Sequence, residues 1–112
     1  MPVVEQYARV HIVTDGEDPG AVPVLLRYDP DADPRSVRVA LPGPHEWTFP
    51  RALLERGLRT PAGSGDVRVW PCGRVQAIVE FHSERGVAVV QFETRTLLRF
   101  LRRTHTAEPV HS

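Results

Sequence analysis

Apolar and polar positions alternate along the first half of the chain in short runs broken by turn formers. From Glu5 to Val13, Ala8, Val10 and Ile12 fall on one side and Tyr7, Arg9, His11 and Val13 on the other. This is the two-residue period of a half-buried strand. Asp15 to Gly20 then reads as a loop, and a second strand runs from about Val22 to Tyr28. Asp29-Pro30-Asp31-Ala32-Asp33-Pro34 is a turn, because each proline pushes the residue before it out of helical space. Ser36 to Leu41 alternates around Val37, Val39 and Leu41, close enough to pair with the second strand as a hairpin. Pro42-Gly43-Pro44 breaks the chain again before a short fourth strand from Glu46 to Phe49.

The period then changes. Pro50 is suited to the first position of a helix, where its missing N–H costs nothing. The helix turns Leu53, Leu54 and Leu58 inward and Arg51, Glu55 and Arg56 outward, with Gly57 as a left-handed stop. Gly63-Ser64-Gly65 reads as a turn, followed by a strand from Asp66 to Pro71. Arg74 to Phe81 and Val87 to Phe92 form a second hairpin across Ser83-Glu84-Arg85-Gly86. Thr94 or Thr96 caps a last helix, Leu97 to about Thr104, with Leu97, Leu98, Phe100 and Leu101 as its apolar positions. Two strand-rich halves, each ending in a short helix and joined mostly by hairpins, predict an α+β fold with a largely antiparallel sheet. Residues 1–104 are expected to form a single domain and 105–112 a short flexible tail.

Composition narrows the class. At 112 residues, 41% hydrophobic and 25% charged, the chain has the makeup of one globular domain. Its formal net charge is zero, so no global field steers nucleic acid or an anionic membrane toward it. One cysteine, Cys72, excludes an internal disulfide framework. Met-Pro-Val-Val-Glu-Gln lacks the basic and apolar regions of a signal peptide. No apolar run approaches the ~20 residues that span a bilayer. A soluble cytoplasmic protein is expected, with no membrane insertion.

Catalytic vocabulary is sparse. His11, His45, His82, His105 and His111 are scattered, with no metal-ligand spacing among them. Ser64 lacks the strand-to-helix elbow of a serine nucleophile. Cys72 has only Arg74 nearby to favour a thiolate. Asp29, Asp31 and Asp33 alternate as in a calcium loop but lack its glycine and terminal glutamate, so turn chemistry explains them. We therefore expect no enzyme, no cofactor and no metal. Binding candidates remain. Arg95, Arg99, Arg102 and Arg103 cover the last helix, and arginine engages carboxylates or phosphates in bidentate fashion. They are the expected partner surface. Trp47, Leu53, Leu54, Trp70 and Leu97 are assigned to the core. An open sheet edge is either blunted or paired with a second copy.

Four blocks stand out in order along the chain: Leu26-Arg27-Tyr28-Asp29 with Asp33-Pro34; Trp47-x-Phe-x-Arg-x-Leu-Leu-x-x-Gly-Leu; Pro61-x-Gly-x-Gly-Asp-Val-x-Val-Trp-Pro; and Leu97-Leu98-x-Phe-Leu-x-Arg-Thr. Together they resemble the SsgA-like family, the sporulation and cell-division proteins of actinomycetes. All 14 basic residues are arginine, and lysine and asparagine are absent. A G- and C-rich coding sequence produces that bias, in keeping with such a source. The resemblance implies a Whirly-like fold and a non-enzymatic adaptor of sporulation septation. Its implied partners are septal division proteins such as FtsZ, cell-wall remodelling proteins or SsgA-like paralogues. It also implies a homo-oligomer, a trimer in a relative, and recruitment to division septa. The fold analogy alone raises an alternative, a single-stranded nucleic-acid-binding module. The zero net charge and an aromatic content of only 7% argue against nucleic acid as a partner.

Overall fold

The computed structural model describes residues 3–13, 20–43 and 45–108. Its elements are β1 (Val4–Val13), β2 (Ala21–Tyr28), β3 (Ser36–Leu41), β4 (His45–Pro50), α1 (Arg51–Gly57), β5 (Ala62–Ser64), β6 (Val67–Cys72), β7 (Gln76–Ser83), β8 (Gly86–Glu93) and α2 (Thr94–Ala107). Of the expected loop from Asp15 to Gly20, only Gly20 falls within the described residues. His111 and residues 109–112 of the expected tail also lie outside them.

The strands form one sheet in the order β4-β3-β2-β1-β8-β7-β6-β5, and every neighbouring pair is antiparallel. The chain therefore walks outward from β1 to one edge at β4, crosses to the opposite edge, and walks back to β8. The crossing is made by α1 and the short segment after it. Laid flat, eight strands would put those edges ~34 Å apart, whereas seven helical residues reach only ~10 Å. The sheet must curl, and α1 packs against β3 and β4 on one side and β5 and β6 on the other. Trp47 of β4 meets Phe81 of β7 with ring centroids 5.1 Å apart, and Phe49 lies 6.1 Å from the same ring. The result is an incomplete barrel whose inner face is the core.

Register shows that one face supplies that core. Leu26 pairs with Val39, Val37 with Phe49, and Val90 with Val79, which in turn pairs with Val69; Val10 of β1 shares their face, and each is buried. Leu53 and Leu54 of α1 and Leu97, Phe100 and Leu101 of α2 close over them. Trp47 packs against this cluster while keeping part of its ring exposed. Trp70 does not belong to it. The two-residue period places Trp70 on the opposite face from Val67 and Val69, paired with Ile78 and half-buried.

The expected turns are present with their chemistry. The Asp29 carboxylate accepts from the backbone N–H groups of Asp31 and Ala32, and Asp33 accepts from that of Arg35. Tyr28 donates its hydroxyl to the Pro34 carbonyl, tying the turn to the end of β2. Gly65 takes a φ of +57°, which supplies the β5–β6 turn. The three-residue strand β5 was not foreseen.

Three local expectations need correction. Pro50 is the last residue of β4 and caps α1, with φ −61° and ψ 136°; the helix starts at Arg51. Gly57 is not a left-handed stop. It is helical and buried, and the chain leaves through Leu58 in right-handed geometry. The last helix also runs past Thr104 to Ala107, because Ala107 is buried against the core and His105 bonds to Glu55 of α1.

Candidate functional site

Helix α2 is the element that carries the arginines. Its buried residues, Leu97, Phe100, Leu101, Thr104 and Ala107, recur at three and four positions and seat one stripe on the sheet beside β1 and β8. Neither Thr94 nor Thr96 caps it. Glu93 holds the cap position without a side-chain bond, and the first helical N–H, that of Thr94, donates to the Val75 carbonyl at 2.9 Å. The Thr104 hydroxyl, fully buried, donates to Leu101 O at 2.6 Å within the helix. Gln6 of β1 donates its side-chain amide to Thr96 O at 3.0 Å, which fixes the helix over β1.

The opposite stripe presents Arg95, Arg99, Arg102 and Thr106, all exposed. The four predicted arginines thus share one helix but not one environment. Arg95 lies 3.5 Å from Glu93, both side chains open to water. Arg103 turns back to β1 and donates to Glu5 O at 3.1 Å and to Gln6 Oε1 at 3.2 Å. Arg99 and Arg102 have no ion pair or side-chain hydrogen bond within the described structure.

Two depressions flank the stripe. Toward the C-terminal end, Val3, Val4 and Ala107 floor a cup of about 420 Å³ rimmed by Arg99, Arg102, Arg103 and Thr106. At the N-terminal end, Val75 and Leu98 lie in a cleft of about 440 Å³ beside Arg74 and Arg95. Leu98 was expected to face inward, yet it is 46% exposed, and Val75 is 70% exposed. Leu98 sits on the shoulder of the helix, about 60° beyond the edge of the buried stripe at Leu101. A helical projection of the sequence would have found this.

The C-terminal end of α2 is held by a ring of charges that sequence reasoning missed. Arg51 Nη2 donates to Glu108 at 3.1 Å, and its Nε lies 3.5 Å from Glu55. His105 closes the ring, with Nε2 3.2 Å from Glu55 and Nδ1 3.5 Å from Glu108. The Arg51 guanidinium also lies over the Tyr28 ring, 5.5 Å from its centroid. The Arg51 hydrogen bond and charge, with a contribution from His105, hold the Glu108 carboxyl below its ordinary range. The two contacts that cross between the helices, Arg51–Glu108 and Glu55–His105, join residues 57 and 50 positions apart, so no local motif announces the ring.

A further groove, of about 660 Å³, opens at the mouth of the curled sheet over Trp47, Phe81 and Leu41. His82 bonds Glu80 at 2.8 Å on the outer face. Ser64 and Cys72 are exposed. Among the described residues, no three His, Cys, Asp or Glu side chains gather as metal ligands. Nor is any helix there long and apolar enough to cross a membrane.

Comparison with known proteins gives concordant matches. The family model described as "Streptomyces sporulation and cell division protein, SsgA" matches residues 22–112. The sporulation-specific cell division protein SsgB of Frankia casuarinae is 38% identical, over 90% of this chain and 75% of its own length. SsgB of Streptomyces coelicolor is 39% identical, over 89% of this chain and 77% of its own. Among solved structures, one described with SsgB mutations that correlate to longitudinal cell division during sporulation of Streptomyces coelicolor is 37% identical and superimposes with a TM-score of 0.83. It covers 95% of this chain and 86% of that one. The SsgA-like sporulation-specific cell division protein of Thermobifida fusca is 29% identical, covers 97% of this chain and 84% of that one, and gives a TM-score of 0.79.

Proposed function

The chain belongs to the SsgA family of sporulation and cell division proteins, and on that premise we propose that it is a non-enzymatic adaptor of sporulation septation. It works by protein–protein recognition, bringing septal division proteins together at the division site. FtsZ, wall-remodelling proteins and SsgA-like paralogues are the partner classes in this reading. The recognition surface is the exposed stripe of α2, with Arg95, Arg99 and Arg102 facing outward and Arg103 on its shoulder.

One observation carries the choice of surface. Arg99 and Arg102 stand side by side on a rigid, well-anchored helix with no counter-charge among the described residues. Two unpaired guanidiniums preorganised on one element are suited to bidentate recognition of a partner's carboxylates. Self-association belongs to the same proposal, as a trimer by resemblance. It is supported by the outer sheet face, where Tyr7 is 75% exposed, Val13 54% and Val87 50%. In an oligomer, several copies of the α2 stripe raise the effective concentration of each contact.

The test is recovery of septal proteins from sporulating cells by the wild-type chain and by an Arg99→Glu/Arg102→Glu variant. Arg103 is left intact because it bonds to β1. Wild type is expected to enrich septal proteins and the variant to lose them while keeping its melting temperature. Equal enrichment by both would remove the α2 stripe from the proposal. Failure of the wild-type chain to enrich any septal protein would remove the adaptor role.

A further inference from the structure

The cup beside the C-terminal half of α2 has a chemistry more specific than its charge. Its floor is apolar: Val4 and Ala107 are 5% and 7% exposed, and Val3, at 38%, forms an open side. Among the described residues its rim carries three guanidiniums and no carboxylate. One of the three, Arg103, is held in place by Glu5 O and Gln6 Oε1, so the rim is partly built before anything binds. The other two, Arg99 and Arg102, have no counter-charge among the described residues.

An apolar floor within an arginine rim selects its ligand. A nucleic-acid strand would use stacking aromatics and a continuous basic track, and among the described residues no aromatic lines this cup. A carboxylate-rich peptide with one apolar side chain satisfies both halves, since the side chain covers the valines while flanking carboxylates meet the planar forks of arginine. At about 420 Å³ the cup holds one such side chain and its backbone, not a folded domain.

The geometry points to this cup as the docking site for an acidic segment of a partner protein that places a single leucine-like side chain between aspartates or glutamates. This deepens the α2 reading and rests on it. The contact is a short linear segment in a preformed pocket, with affinity shared between the rim and the floor.

The experiment is fluorescence anisotropy with labelled synthetic peptides on the full chain. The probe is Gly-Asp-Asp-Leu-Asp-Asp-Gly. Two controls replace the leucine by serine or every aspartate by asparagine. A dT10 oligonucleotide and phosphatidylglycerol vesicles complete the set. The probe is expected to bind saturably, and each control to bind about tenfold or more weakly. Arg99→Gln/Arg102→Gln and, separately, Val3→Ser are expected to weaken the probe by a similar factor with unchanged melting temperature. All these sites are exposed on the surface, so folding is not at risk.

Failure of the probe to bind at millimolar concentration overturns the proposal. So does equal binding with leucine or serine, which would leave only diffuse arginine electrostatics. Binding that survives both the arginine and the Val3 substitutions places the peptide elsewhere and has the same force. Tighter binding of the oligonucleotide or the vesicles, lost in the arginine variant, assigns the cup to that class instead. If the probe behaves as expected while Arg99→Glu/Arg102→Glu still recovers septal proteins, the cup is a peptide site and the septal reading of the stripe fails. The reverse pattern keeps the stripe and removes the cup.

Discussion

Gly57 of α1 lies so close to Val69 of β6 that a β-carbon on the glycine would sit 2.3 Å from Val69 Cβ and 3.0 Å from Val69 O. The glycine is helical, so its role is space and not backbone freedom. Close approach there seats α1 against β6 while Leu53 and Leu54 are buried in the core. Gly57→Ala is therefore an overpacking substitution, despite the higher helix propensity of alanine. We expect a loss of about 1–3 kcal/mol and a fall of several degrees in melting temperature. Val69→Gly, which removes the side-chain carbons that the new β-carbon would meet, should relieve part of it, so that urea denaturation finds the double variant less destabilised than the sum of the singles. Additive losses would show that the two residues are not coupled.

Arg51 joins the two helices through Glu55, Glu108 and the Tyr28 ring, with its side chain only 11% exposed. Arg51→Met keeps an apolar stem but removes the guanidinium, and with it the contact over the Tyr28 ring and the partner of both carboxylates. Bonds to charged groups contribute about 1.5–3 kcal/mol each when buried. Glu55 and Glu108 are partly solvated, and the buried Nη1 has no described partner, which lowers the net effect. A loss of about 1–2 kcal/mol is expected. Faster hydrogen exchange should be confined to the last turn of α2. Uniform acceleration through the sheet would show a wider role for Arg51.

Acid should loosen the same region. The folded state depresses the Glu108 carboxyl, chiefly through Arg51, and the Asp33 carboxyl, chiefly through the Arg35 N–H. For a depressed carboxylate, the stabilisation is fully present above its unfolded value, near 4.5 for Glu108 and 3.8 for Asp33. It is lost as pH falls through the lower folded value. Tyr28 works at the other end: burial raises its phenol, so stability is held below its unfolded value of 10.0 and declines as pH climbs through the raised value. Melting temperature should thus fall on both sides of a neutral plateau. In Glu108→Gln the acid limb should be shallower. An unchanged limb would assign the acid sensitivity to other carboxylates.

Cys72 ends β6 in an exposed position. A disulfide reagent should titrate one thiol per chain in the folded protein, at the rate found in urea to within about a factor of ten. Strong protection without denaturant would mean that the β6 end is covered in solution, as an oligomer interface there would require.

Much of the architecture is legible in the sequence because local chemistry dictates it. The alternation of Ala8, Val10 and Ile12, the Asp29 turn and the leucines of α1 all read correctly from near neighbours. Trp70 was misread because residue type was given more weight than its period, which already placed it opposite Val69. Gly57 was misread because a glycine after a helical run has two uses, and only the approach of Val69 distinguishes them. The candidate surface was half legible. Helical spacing brought Arg95, Arg99 and Arg102 together, but the diversion of Arg103 to Glu5 and the floor of Val3 and Val4 depend on where β1 lies. That is fixed by residues 90 or more positions away.

The place of β1 beside β8 also sets an order of events. His11 pairs with Gln91, 80 positions later in the chain, at the middle of the sheet and not at its rim. As the chain emerges from a ribosome, the β1–β4 meander can form by local hairpins, but its inner strand stays unpaired on one side until β8 arrives. Closing so long a loop costs conformational entropy before any core contact offsets it, and such contacts slow folding. For that interval the half-sheet exposes the backbone of His11 to Val13, a ready template for another nascent copy. The central seam is the last part of the molecule to become safe.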